Sequence, residues 1–341
     1  MIGPAEVGAE RHDPRPVRQL GAALVGKALR SDLRPVAAWG LALALLFIYA
    51  GQQPGFLSRG QIGALCATAL PLAIVALGQG IVILTAGIDL SVGGVFALGN
   101  TLAATHFTHT STTLSWSLAV LAIGSVAGAI NGLFVGALGL QPFIVTLATW
   151  SIYDGIALYV LPTAGGTVPG GFSGWINDSS IGLPNPIWAL IVLVLFWQWF
   201  KGMPFARRIY AAGSDREGAR ISGVSLARTL ALAYAFSGFF AALGSLAYAM
   251  LTQSGDPTSG DQQILLSVAA VVIGGTALFG GRGGFVGTVA GALALTVLPD
   301  VIFKLNVSTG WTTFADGFLL VLAVLLGGGL QWLQARFVAA R

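Results

Sequence analysis

Two aspartates stand in otherwise apolar surroundings, and they are the residues best placed to do chemistry. Asp89 lies in Leu84-Thr85-Ala86-Gly87-Ile88-Asp89-Leu90-Ser91-Val92-Gly93-Gly94, between two long apolar runs. Asp154 lies in Trp150-Ser151-Ile152-Tyr153-Asp154-Gly155, with no lysine or arginine in the same run to pair it. A carboxylate at bilayer depth costs about 2.5–3.5 kcal/mol on insertion scales, so each is a functional candidate: a proton carrier, a wall of a solute route or part of a gate. Gly87 permits an unusual backbone, and Asp89 or Ser91 can cap a following helix, so 85–92 reads as a broken or re-entrant segment. A plain N-cap at the membrane surface is the alternative, and capping is compatible with lining a pathway. Gln79, Asn100 and Asn131 are uncharged polar groups in other apolar runs. Their amides offer donors and acceptors to a polyhydroxylated solute, and equally to neighbouring helices.

Other chemistries have little to work with. His106 and His109 are spaced i, i+3, but no cysteine and few acids stand near them, so no metal site is expected. The single cysteine, Cys66, lies in an apolar run and leaves neither an intramolecular disulfide nor a thiolate cluster. No Ser/His/Asp arrangement and no neighbouring pair of carboxylates occurs within the apolar runs. The glycine-rich stretch from Gly274 to Gly284 lacks the Gly-Lys-Ser/Thr ending of a phosphate-binding loop and reads instead as a tight turn between closely packed spans. The chain is therefore expected not to be an enzyme and to bind no cofactor itself.

The elements that must position these residues are membrane helices. Of the 341 residues, 55% are hydrophobic and only 9% charged, 48 are glycine, and the mean hydropathy is +0.81. A typical soluble domain carries about 25% charged residues, so the bilayer must solvate most of this chain, and disorder is excluded by the same numbers. A span needs about 20 apolar residues to cross roughly 30 Å of hydrocarbon. Candidate runs lie at 36–51, 61–84, 92–108, 115–139, 143–161, 186–200, 228–251, 264–280, 284–303 and 312–333, which makes about ten transmembrane helices in an all-α polytopic fold. Gly124 with Gly128, and Gly132 with Gly136, form small-xxx-small steps suited to close helix contact.

Orientation follows from the cations. Arg11, Arg15, Arg18, Lys27, Arg30 and Arg34 precede the first span; Lys201, Arg207, Arg208, Arg216, Arg220 and Arg228 follow the sixth. With ten spans these fall on one side, together with Arg282, Arg336 and Arg341, leaving only Arg59 and Lys304 opposite. Basic residues near span ends mark the cytoplasmic face, so both termini are expected inside and the net charge of +4 reflects topology, not nucleic-acid affinity. The chain divides into a cytoplasmic tail (1–35), a transmembrane domain (36–335) and a short cytoplasmic end (336–341). The tail is not read as a secretory signal, because its first long apolar run begins near Val36. Residues 17–30 suit a helix lying on the inner leaflet, or a solvated leader.

The longest charged connector, 201–228, contains a helix signature. Ser214 or Asp215 can serve as N-cap, Glu217 places an acid in the first turn, Arg220 follows toward the C-terminal end, and Gly223 is a natural stop. A short cytoplasmic helix of this kind suits docking to a separate soluble partner; an ordinary polar loop that only fixes topology is the alternative.

At these residues the sequence resembles permease subunits of ATP-binding-cassette importers, in particular the ribose-type, or monosaccharide, branch. Gly213, Glu217, Ala219, Arg220, Ser222 and Gly223 fit that branch's coupling segment, while Ser214-Asp215 replaces its usual Gly-Asn and Gly218 its first alanine. Gly87-Ile88-Asp89-Leu90-Ser91-Val92-Gly93 is similar to its most recognisable stretch. Asn131-Gly132 with Gln141-Pro142-Phe143-Ile144-Val145-Thr146-Leu147-Ala148-Thr149, and Ala269–Thr276 with Gly280-Gly281-Arg282-Gly283 and Gly287, resemble two more in the same order. The resemblance spans about residues 60–335. It implies a homodimeric or heterodimeric pore in the bacterial inner membrane, a periplasmic or lipid-anchored sugar-binding protein docking outside, and two ATPase subunits inside that carry the ATP and magnesium. It also implies a coupling role for residues 214–223, with Asp215, Arg216, Glu217, Ala219, Arg220 and Gly223 as its functional members. Asp89, Ser91, Asn100, Asn131 and Asp154 become candidates for the solute route or its gating. A stand-alone proton-coupled carrier using Asp89 or Asp154 is the alternative, and it would not need the cytoplasmic helix.

Overall fold

The computed structural model describes residues 34–107 and 110–305, together with isolated positions between 311 and 321. His109, the tail up to residue 33 and most of the tenth apolar run lie outside the described residues. Helices dominate: α1 (Arg34–Gln52), α2 (Arg59–Ile83), α3 (Ser91–His106), α4 (Thr110–Gly136), α5 (Pro142–Val160), α6 (Asn185–Lys201), α7 (Pro204–Ser214), α8 (Arg216–Ile221), α9 (Leu226–Thr252), α10 (Asp261–Ile273) and α11 (Phe285–Lys304). Between α5 and α6 run a helical turn (Gly170–Ser173), a 3-10 turn (Gly174–Ile176) and a two-residue hairpin, β1 (Ser179–Ser180) with β2 (Leu183–Pro184).

Local sequence explains the boundaries. Ser58 accepts from the Gln61 N–H at 3.4 Å and starts α2. Pro142, Pro186 and Pro204 occupy first-turn positions of α5, α6 and α7, where a missing N–H costs nothing. α2 and α9 form the centre: nearly all of α2 from Ala67 to Ile83 is buried, and α9 packs along both α2 and α4. The α4–α9 contact depends on the glycine steps, since a side chain at Gly128 would collide with the Tyr234 carbonyl and one at Gly132 with the Leu230 carbonyl. The outer faces stay apolar, with Phe47, Leu114, Ile144, Ile152, Leu195 and Tyr159 exposed. That inside-out pattern belongs to a body solvated by lipid.

Six helices are long and apolar enough to cross a membrane among the described residues, or seven if α6 and α7, which meet at a 78° bend, form one span. The sequence led to an expectation of about ten. One of the ten runs, 312–333, lies mostly outside the described residues, and for two others the shorter helix has a local cause. The run 264–280 yields only α10, 13 residues and about 20 Å long, because the chain turns at Gly274 and Gly275 (φ 92°). The run 92–108 yields α3, 16 residues or about 24 Å, because the chain enters it through a non-helical segment.

Among the described residues the cations other than Arg59 and Lys304 collect at one end of the bundle. Arg34 reaches the Gly275 carbonyl (3.5 Å), the Tyr210 hydroxyl donates to the Gly283 carbonyl (2.8 Å), and the Gly281 N–H donates to the Leu84 carbonyl (3.0 Å). These contacts hold the start of α1, helix α7, the chain just after α2 and the α10–α11 turn together. Arg59 opens α2 some 25 residues, or about 37 Å, from that helix's opposite end.

Candidate functional site

The chain breaks between α2 and α3. Residues 84–90 are non-helical, Ala86 adopts φ 61°, and Asp89 is 1% exposed. The broken segment expected at 85–92 is thus present. Asp89 braces the start of α3 from the residue before its cap position, Leu90: its Oδ1 accepts the Ser91 N–H (3.0 Å) and the Ser91 hydroxyl (2.5 Å). Asn131 of α4 donates from Nδ2 to Ser91 Oγ (2.8 Å). With its amide oriented to match, Gln79 of α2 donates to the Asp89 carbonyl (3.0 Å) and accepts from the Asp89 N–H (3.3 Å), as a strand partner would. The Thr146 hydroxyl of α5 lies 3.3 Å from the Ile88 carbonyl. Side chains from two helices, Gln79 of α2 and Thr146 of α5, thus bond backbone groups that the break releases, while Asn131 of α4 holds the Ser91 side chain; such partners are the condition for irregular backbone inside a membrane protein.

Tyr234 and Ser237 of α9 close the cluster from the fourth side. A side chain at Gly87 would strike the Tyr234 hydroxyl, and the Ser237 hydroxyl faces the Asp89 carboxylate outside hydrogen-bond geometry. Asp89 Oδ2, Asn131 Oδ1 and these two hydroxyls make no hydrogen bond among the described residues. Sequence reasoning missed both. Tyr234 and Ser237 sit three apart in an apolar run, on one helical face, and that spacing was the available signal.

The remaining pathway candidates lie elsewhere. Asn100, fully buried, donates to the Ser254 carbonyl (3.3 Å) and accepts from the Asp256 N–H (2.7 Å). It fastens α3 to the α9–α10 loop, which in turn pairs with Gly165 through reciprocal bonds from Gly255 (2.9 and 2.8 Å). Asp154 is half-buried on α5, where Gly94 of α3 lets the two helices approach, and it faces Asp261 at the start of α10. The structure brings Asp89, Ser91 and Asn131 together, and neither Asn100 nor Asp154 joins them.

The helix expected in the charged connector is α8, with Ser214 ending α7 and Asp215 as the cap. Asp215 Oδ1 accepts the N–H groups of Glu217 and Gly218, each at 3.1 Å. Arg220 clamps Glu217 with two hydrogen bonds, Nε to Oε2 at 3.0 Å and Nη2 to Oε1 at 2.5 Å. That bidentate bond holds the Glu217 carboxyl below the usual carboxylate range and raises the guanidinium. Gly223, at φ 83°, donates to the Arg220 carbonyl while Val224 donates to that of Ala219, both at 3.0 Å, which is a Schellman ending. Ala219 is buried; Arg216, Glu217, Arg220 and Ile221 are exposed.

α8 and the break touch. Arg216 Nη2 lies 3.5 Å from the Thr85 carbonyl, and any side chain at Gly213 would run into the Leu84 carbonyl. From the other flank Gly281 binds the same Leu84 carbonyl and Gly280 packs on Ala86. Four stretches far apart in sequence, 84–93, 131–149, 213–223 and 274–287, thus meet around residues 84–91.

The sequence profile of the family described as branched-chain amino acid transport system / permease component matches residues 61–325. The chain belongs to that permease family. The permease is 35% identical over 312 residues to a probable ABC transporter permease protein of Sinorhizobium fredii, covering 90% of this chain and 93% of that one. It is 34% identical over 295 residues to a ribose import permease of Haemophilus influenzae (83% and 90%) and 32% identical over 325 residues to a galactose/methyl galactoside import permease of Escherichia coli (89% and 97%). No solved structure matches it at significance. The matched region takes in the break, the polar cluster around it and α8.

Proposed function

We propose that this permease is the membrane-spanning subunit of an ATP-binding-cassette importer for a monosaccharide or related polyol, moved by separate ATPase subunits that grip α8. The sugar class is supported by the ribose and galactose permeases to which the chain is similar from near end to near end. Family membership implies the ATPase and substrate-binding partners, and two permease subunits enclosing the route. The gathering of cations at the α8 end supports a cytoplasmic position for that end.

The observation that carries the mechanism is the contact between α8 and the break. A six-residue helix, capped by Asp215 and closed at Gly223, is rigid enough to be pushed as a unit. Its buried Ala219 seats it on the bundle while Glu217, Arg220 and Ile221 face outward to a partner. Displacement of α8 bears on Thr85 through Arg216, and on Leu84 through Gly213 at the end of the adjoining α7, and so on the segment that carries Asp89. In this reading Asp89, Ser91 and Asn131 latch the break and set its two positions; they are gating residues and do not themselves line the route. Asn100 anchors the opposite end, and Asp154 belongs to the α3–α5 contact. The chain performs no hydrolysis; ATP and magnesium act on the partner.

Glu217→Arg tests the reading. Reversing the outward charge leaves insertion unchanged and removes substrate-stimulated ATP hydrolysis by the assembled complex, because it also breaks the clamp on Arg220. Full stimulation in the variant overturns the coupling role. Uptake by the permease alone in liposomes under a pH gradient would instead favour a proton-coupled carrier.

A further inference from the structure

The face of α9 that points away from the polar cluster bears a second feature. Near its start lies a cavity of about 180 Å3 lined by Phe205 and Arg208 of α7 and by Ser225, Arg228, Thr229 and Leu232. Next to it a larger apolar groove, about 360 Å3, is walled by Phe196 of α6 and by Leu232, Phe236 and Phe239 of α9, with Ser125 of α4 at its side. Leu232 lines both, so the cationic cavity and the aromatic groove adjoin along α9, and together they make a channel with a cationic head and an aromatic stem. Ser225, Arg228, Thr229, Leu232, Phe236 and Phe239 follow one another at helical spacing and therefore share one face.

We propose that this channel binds an anionic phospholipid, with the phosphate between Arg208 and Arg228 and an acyl chain along Phe236 and Phe239. Arg208 and Arg228 are exposed, and neither has a carboxylate or hydrogen-bond partner among the described residues; the described ion pair uses Arg220 instead. Two uncompensated guanidiniums on one small cavity select a negative group and offer bidentate donors to phosphate oxygens. The distance from Arg228 to Phe239 is 11 residues of helix, or about 17 Å, close to half the hydrocarbon thickness and so to one leaflet. The stem has almost no polar lining, which suits an acyl chain and gives a free phosphate nothing to bind. A second copy of this chain seated on the same face would bring like charges to the same depth, since a two-fold axis along the membrane normal apposes identical residues. Basic pockets between transmembrane helices are the usual headgroup sites on the cytoplasmic side, and the leaflet assignment rests on the orientation proposed above.

The test uses the full-length permease in detergent, titrated with phosphatidylglycerol or with phosphatidylcholine of the same acyl chains, with the unfolding temperature and native mass spectrometry as readouts. Phosphatidylglycerol should bind preferentially, and Arg208→Gln and Arg228→Gln should each lower that preference by about fivefold. Phe239→Ser should weaken both lipids while keeping the preference, and glycerol phosphate should leave the unfolding temperature unmoved. Equal binding of the two lipids, an unchanged preference in the paired arginine variant, or an equal shift with glycerol phosphate overturns the proposal. A change in oligomeric state on arginine replacement with no lipid effect also overturns it and assigns the face to a second copy. None of these readouts depends on transport or ATP hydrolysis, so failure here leaves the coupling reading untouched.

Discussion

Asp89 and Asp215 make the same local structure in opposite surroundings. Asp215 is the cap of its helix and Asp89 stands one residue ahead of the cap of α3; each accepts through Oδ1 the backbone N–H two residues on, at 3.0 Å for Ser91 and 3.1 Å for Glu217. Asp215 does so in water. The helix it starts is one and a half turns long, and its neighbours Glu217 and Arg220 are exposed. Asp89 does so inside the bundle, with Gln79, Ser91, Asn131, Tyr234 and Ser237 around it. Water can replace the acceptor at Asp215. Nothing replaces it at Asp89, where an abandoned donor keeps its full desolvation cost. One motif therefore serves as a fastening in the interior and as a handle outside, and Leu84 and Thr85 join the two.

That contrast can be broken from its buried side first. Asp89→Ala leaves the Ser91 N–H and hydroxyl without their acceptor and should destabilise the permease by about 3 kcal/mol, read as a lowered unfolding temperature of the purified protein. Asp89→Asn keeps an acceptor at Oδ1 and should recover more than half of that loss; if both variants unfold alike, the network is not what holds the break. Asp215→Ala should cost only about 1 kcal/mol, confined to α8. It should appear as faster trypsin cleavage after Arg216 and Arg220 with the bundle's unfolding temperature unmoved. A bundle-wide loss would mean that α8 is part of the core.

The smallest effect concerns pH. Because the Arg220 bond holds the Glu217 carboxyl below its ordinary range, folding of α8 gains from this pair above the unfolded glutamate value, about 4.3, and loses the gain as pH falls through the lower folded value. Hydrogen exchange over 216–221 should be flat from pH 5 to 8 once corrected for intrinsic rates, and protection should fall only under more acidic conditions. Glu217→Gln should remove that acid step and cost little stability at neutral pH, since exposed pairs contribute weakly. A step near neutral pH would contradict the geometry of the clamp.

Much of this was legible in residue order. Composition alone required lipid as the solvent. Gly223 and Asp215 delimit α8 as their types suggest, because a cap needs a short side-chain oxygen and a left-handed stop needs glycine; both are local demands. Gly87 and Asp89 signalled the break for the same reason. The number of spans was less legible. Hydropathy records how apolar a stretch is and not where its helix stops, so the runs at 92–108 and 264–280 counted as spans although α3 and α10 hold only 16 and 13 residues.

The amides show the limit most clearly. Gln79, Asn100 and Asn131 are equivalent as sequence, each one polar group in an apolar run. In the fold Asn131 meets Ser91, Gln79 meets the Asp89 backbone, and Asn100 fastens a loop at the opposite end.

By itself, then, the sequence determined solvent, helix ends and the presence of a capped outer helix, since these depend on transfer free energies and on neighbours a few positions away. Only the tertiary structure decided that residues 84–91, 131, 146, 213, 216, 234 and 281 share one neighbourhood, and that Asp154 stands apart from it. Those contacts cross dozens of residues, and close packing, not local pattern, selects which polar groups find one another.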